Sequence, residues 1–112
     1  MDDAISRLLP GAAGSPVILH VPHASTRIPA PVREHIGLTD AQLATELAHL
    51  TDAHTDAIAS RAAAAASLTP FQFVNPLSRL VVDPERFPDE REEMLAAGMG
   101  SVYTHTSHGA PL

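Results

Sequence analysis

The 112-residue chain contains no cysteine, which excludes disulfides, thiolate nucleophiles and thiolate zinc sites and leaves histidine, aspartate and glutamate as metal ligands. Lysine is missing too, so all 7 basic residues are arginine. Against 13 acidic residues they leave a formal net charge of -6 and no basic cluster. Phosphate binding needs concentrated positive charge, so no nucleic-acid partner is expected. No apolar run approaches the roughly 20 residues that span a bilayer, and the start, Met1-Asp2-Asp3, is acidic where a secretory signal is basic. The expectation is therefore no membrane partner and a cytoplasmic location. Internal repeats are absent as well. What is present, 45% hydrophobic and 18% charged residues, is ordinary for a globular protein of at most one domain with a thin core.

The most informative stretch is SPVILHVPHASTR, residues 15–27. Val17-Ile18-Leu19-His20-Val21 reads as a near-continuous apolar strand, the kind buried on both faces of a parallel sheet. It stops at Pro22 and delivers His23 into a small polar turn. Ligands of α/β folds collect at the carboxyl ends of strands, so His23 is a candidate ligand, with capping of the strand as its structural alternative. His20 points to the opposite face and reads as a buried or sheet-surface residue.

Pro22, Pro29 and Pro31 predict a loop over 24–38 with one helical turn from Pro31 to Ile36. Thr39-Asp40-Ala41-Gln42 is a capping box, and Leu43, Leu47 and Leu50 recur at helical spacing, predicting a helix over 40–49. A second helix, or a bent continuation of the first, is expected over 52–66, ending in the run Ala62 to Ala66. Phe71–Val74 and Leu80-Val81-Val82 read as short strands, and Asp89–Glu93 as an acidic helical turn without a role.

Two further clusters carry chemistry. In Asp52-Ala53-His54-Thr55-Asp56, a helix puts Asp52 and Asp56 on one face and His54 about 200° away, pointing off the site; a strand would bring residues 52, 54 and 56 together on metal ions. The flanking residues favour helix, and Asp52 could equally be its cap. The same letters resemble the binuclear manganese motif of the arginase and agmatinase family, but there the motif follows a β-strand and here a helix. In Asn75–Arg86, Arg79, Asp83 and Arg86 form a cation-anion-cation series. Arginine binds a carboxylate bidentately and an aspartate can orient it, although a structural salt bridge uses the same letters.

Taken in order, VPHAS, D-x-x-x-D, SRLVVDPER and THTSHGAPL resemble the N-formylglutamate amidohydrolase family over about residues 15–112. That family carries a PHSG-type turn, an acidic helix, an SRxVxDxNR segment and a TxTxxGxPL-type segment. Two departures stand out: the turn reads His23-Ala24-Ser25, and Glu85 takes the place of the asparagine. The resemblance implies an α/β fold with a mixed, mainly parallel sheet flanked by helices, similar to zinc-dependent exopeptidases. It implies hydrolysis of the formyl amide of N-formylglutamate to formate and glutamate. It also implies that residues 1–112 are a single incomplete α/β domain, the front of a longer hydrolase, with 1–14 a flexible lead-in.

On this reading His23 and Asp52 are the catalytic pair and, with Asp56, ligands of a divalent metal such as zinc. Ser25, Arg79, Asp83 and Arg86 serve the acidic N-acyl amino acid, the arginines taking its carboxylates and Asp83 orienting an arginine. Further ligands and the catalytic base are expected in the second half of the longer hydrolase, because a catalytic zinc site usually has three protein ligands. A chain with an uncovered strand edge is expected to self-associate. The alternative from another class is a non-catalytic module that captures an acidic small molecule through the two arginines.

Overall fold

The computed structural model describes residues 7–112; residues 1–6 of the expected lead-in lie outside the described residues. The strand after the lead-in forms as β2, Ile18–Val21, and its parallel neighbour is β3, Phe71–Val74. Parallel partners need a long crossover, and three helices supply it: α1 (Ala30–Arg33), α2 (Asp40–Leu50) and α3 (Thr55–Ala65). The capping box on α2 is made in both directions, Gln42 N to Thr39 Oγ1 at 3.2 Å and Thr39 N to Gln42 Oε1 at 2.9 Å.

Within the lead-in, Arg7–Leu9 form β1, which pairs antiparallel with β3. Among the described residues the sheet order is β1-β3-β2, so β3 is central and β2 an edge. This corrects two expectations. The sheet is mixed but not mainly parallel, since one of its two pairings runs each way. The strand that leads to His23 is not interior either. An unbroken apolar run suggested burial on both faces, yet Ile18 is 66% exposed and Val21 3%.

Register assigns the faces. Leu19, Val21, Gln72 and Val74 point to the side covered by α3, where Ala59 and Ala63 are buried. Leu8, Ile18, His20, Phe71 and Phe73 share the other side, and the His20 and Phe73 rings meet edge to face at 5.2 Å. A second apolar cluster lies away from the sheet, where Leu43 and Leu50 of α2 pack with Leu80 and Tyr103.

Leu80-Val81-Val82 is a turn rather than a strand. Buried Ser78 captures it: its carbonyl accepts from Val81 N at 2.9 Å and its hydroxyl from Leu80 N at 3.1 Å. Residues 89–92 form a bend and turn, and a 3-10 helix follows at Glu93–Ala97. It ends at Gly98, whose φ of 74° needs glycine and whose carbonyl accepts from Thr104 N and His105 N, folding residues 99–105 back.

Candidate active site

Backbone bonds converge on the end of β2. The His23 carbonyl accepts from Asp52 N at 2.8 Å, so the α2–α3 turn docks beside the histidine. Asn75, just past β3, donates from Nδ2 to Pro22 O at 3.1 Å and to Val82 O at 3.2 Å, which ties the approach to Asp83 to the same point. The expected start of the second helix is modified. Asp52 and His54 precede α3 instead of lying on it, because His54 has φ 73° and breaks the helical path. His54 is exposed, as is Asp56, whose carboxylate accepts from Ala57 N at 2.9 Å.

His23 is 4% exposed and Asp83 0%, and they are bonded, Nε2 to Oδ1, at 2.7 Å. Burial alone would raise the Asp83 pKa. Bonds from His23 and Tyr103 and from the Glu85 backbone outweigh it, holding the carboxyl well below the usual carboxylate range. An ionised carboxylate only accepts, so Nε2 is the donor in this pair. The other ring nitrogen, Nδ1, lies 3.5 Å from Asp52 Oδ2, and Glu85 Oε2 is 3.4 Å from Nε2. His23, Asp83 and Glu85 bring ligand atoms within 4.8 Å of one another, a set that could hold a metal ion.

The second Asp83 oxygen is the hub for the arginines. Oδ2 accepts from Arg79 Nε at 3.1 Å and from the Tyr103 hydroxyl at 2.9 Å, and is ion-paired with Arg79 Nη2 at 3.0 Å. Arg86 Nε approaches Oδ2 to 3.6 Å and is buried without a hydrogen-bond partner among the described residues. Burial works against the Arg86 charge, but neighbouring Tyr103, Asp83 and Glu92 raise its pKa. Burial and the bond to Asp83 raise that of Tyr103 as well.

Of the residues singled out from the sequence, His23, Asp52, Asp83, Arg79 and Arg86 therefore come together. Asp56 and Ser25 do not join them: both line a neighbouring recess of about 230 Å³ with Asn75 and Pro76. The Ser25 hydroxyl is engaged in the turn, donating to Pro76 O at 2.8 Å and accepting from Arg27 N at 3.0 Å. Sequence reasoning missed Glu85 and Tyr103 as members of the cluster. Glu85 had a signal in its spacing, since Asp83-Pro84-Glu85 puts two carboxylates beside one another across a proline; Tyr103 had none that a single sequence offers.

The model of the N-formylglutamate amidohydrolase family matches residues 15–112, a span that contains every residue of the cluster. No curated protein and no solved structure matches the chain.

Proposed function

The chain belongs to the N-formylglutamate amidohydrolase family, and from that membership we propose that it hydrolyses the amide of an N-formyl acidic amino acid, N-formylglutamate foremost, releasing formate and the free amino acid. The observation that carries this reading is His23, an imidazole buried at a strand end with a carboxylate on each ring nitrogen. A fold akin to zinc-dependent exopeptidases goes with it.

The donor set fits a divalent cation. With Nε2–H given to Asp83, the Nδ1 lone pair and Asp52 Oδ2 face each other at 3.5 Å, two acceptors that a shared cation reconciles. Two ligands about 2.0–2.1 Å from a tetrahedral zinc are about 3.4 Å apart, so this pair needs little movement. Asp83 then orients the ring, in the carboxylate–histidine–metal arrangement. His23 and Asp52 would hold such an ion, which would supply a water acidified to a pKa of about 7 and a Lewis acid for the amide carbonyl. Asp83 also holds the two guanidiniums side by side, Arg79 directly and Arg86 at 3.6 Å, where they bind the carboxylates of the substrate.

The clustering of His23, Asp83 and Glu85 favours a second ligand set, through Nε2. That set requires the 2.7 Å His23–Asp83 bond to open, which makes it the lesser reading. Formate release from N-formylglutamate by the intact gene product tests the function. It is expected to stop on chelation, return with zinc and vanish in His23→Ala. Asp52→Asn should weaken zinc binding about tenfold or more, and Glu85→Gln little; the reverse order would establish the second set. Glutamate binding without formate release would replace the enzyme by the binding module.

A further inference from the structure

We propose that Tyr103 is a positioning residue that aims Arg79 at a carboxylate of the substrate. The inference rests on the hydrolase reading above, which takes Arg79 as a ligand of that carboxylate, and it adds a residue from a segment with no role so far.

Tyr103 is 5% exposed and stands between the anion and the cation of the site. Its hydroxyl is 2.9 Å from Asp83 Oδ2 and 2.9 Å from Arg79 Nε. A guanidinium has no acceptor, so the single hydroxyl proton goes to Asp83 and the oxygen receives Nε–H. The Arg79 guanidinium carbon also lies 5.7 Å from the centre of the Tyr103 ring. One edge of the arginine fork therefore faces Asp83 and Tyr103: the single Nε–H is shared between Oδ2 and the phenol oxygen, and Nη2 is ion-paired with Oδ2 at 3.0 Å. Nη1 makes no hydrogen bond among the described residues, and the side chain retains 13% exposure. Nη1 is the end left for a ligand.

Asp83 cannot fix that orientation unaided. Its Oδ2 is shared between Arg79 and the approaching Nε of Arg86, so a guanidinium held by Oδ2 alone can pivot about that atom. The phenol supplies the second, off-axis anchor. Its own place is secured by the chain reversal at Gly98, by the Met99–Tyr103 bridge and by Asp83 N donating to Ser101 O at 2.8 Å. The same strands of backbone thus hold both the anchor and the carboxylate it serves.

The test is Tyr103→Phe in the zinc-loaded enzyme, which keeps the ring and removes only the hydroxyl. KM for N-formylglutamate and the calorimetric Kd for glutamate are each expected to rise about tenfold, equivalent to about 1.4 kcal/mol. The turnover number and zinc affinity should stay within about twofold, a split that a loss of folded protein would not produce. In an Arg79→Lys background the same substitution should add nothing further to the glutamate Kd. Unchanged glutamate affinity, a loss confined to turnover, or full additivity with Arg79→Lys would each overturn the proposal while leaving the hydrolase reading intact. Failure of the parent enzyme to bind glutamate or release formate would remove both.

Discussion

At the scale of the residue, Asp83 decides the site. A fully buried carboxylate is costly unless its bonds are met, and here one oxygen serves His23 while the other serves Tyr103 and Arg79, with Arg86 near by. Asp83→Asn should therefore destabilise the fold by on the order of 3 kcal/mol, because it leaves arginines paired with a neutral amide in a largely buried place. The pH dependence follows from the direction of the shift. The folded carboxyl titrates below its ordinary value of 3.8, so its contribution is complete above that value and fades as pH falls beneath it. Thermal melts of the metal-free protein should show a constant gap between the parent and Asp83→Asn from about pH 5 to 8, closing below about pH 4. A gap that changed across the neutral range would assign the effect to another group.

At the scale of the element, α2 joins the site to the rest of the chain. Its capping box and leucine spacing made it legible from the sequence, as was the strand leading to His23. What failed were readings that depend on a residue's partners. Leu80-Val81-Val82 has strand-like letters, but the Ser78 side chain bends it into a turn. The helix read from Asp52 begins only at Thr55, because His54 adopts a left-handed conformation that no local propensity announces. Arg79, Asp83 and Arg86 were legible as an ion series, yet the carboxylate's bond to His23 joins residues 60 positions apart and only the fold supplies it. Glu46 is a similar case. It lies on the buried face of α2, 4% exposed, and its carboxylate accepts from Ser107 Oγ at 2.9 Å and from Ser107 N. Glu46→Ala should cost on the order of 2 kcal/mol. It should also speed amide exchange over residues 104–112, which α2 otherwise grips. Exchange there at the parent rate would show that the segment is held by its own bonds alone.

At the scale of the whole molecule, two apolar regions do different work. The cluster of Leu43, Leu50, Leu80 and Tyr103 is buried, and through the Tyr103 hydroxyl it reaches Arg79. The sheet is one-sided: α3 covers the face of Val21 and Gln72, while Leu8 at 64% and Ile18 at 66% exposure stand on the other beside Phe71 and Phe73. β2 is also an edge strand, so apolar surface and unpaired backbone coincide, the combination that promotes association between chains. The 112-residue chain is therefore expected to sediment above its 11.8 kDa monomer mass in a concentration-dependent way. Ile18→Lys places a charge at the centre of that surface without touching the His23 cluster, which lies beyond the other end of β2. It should restore the monomer while leaving zinc affinity unchanged. A parent chain that stays monomeric at high concentration would mean that this face resists pairing despite its exposure, and a loss of zinc binding in Ile18→Lys would mean that the sheet's open side and the metal site are coupled.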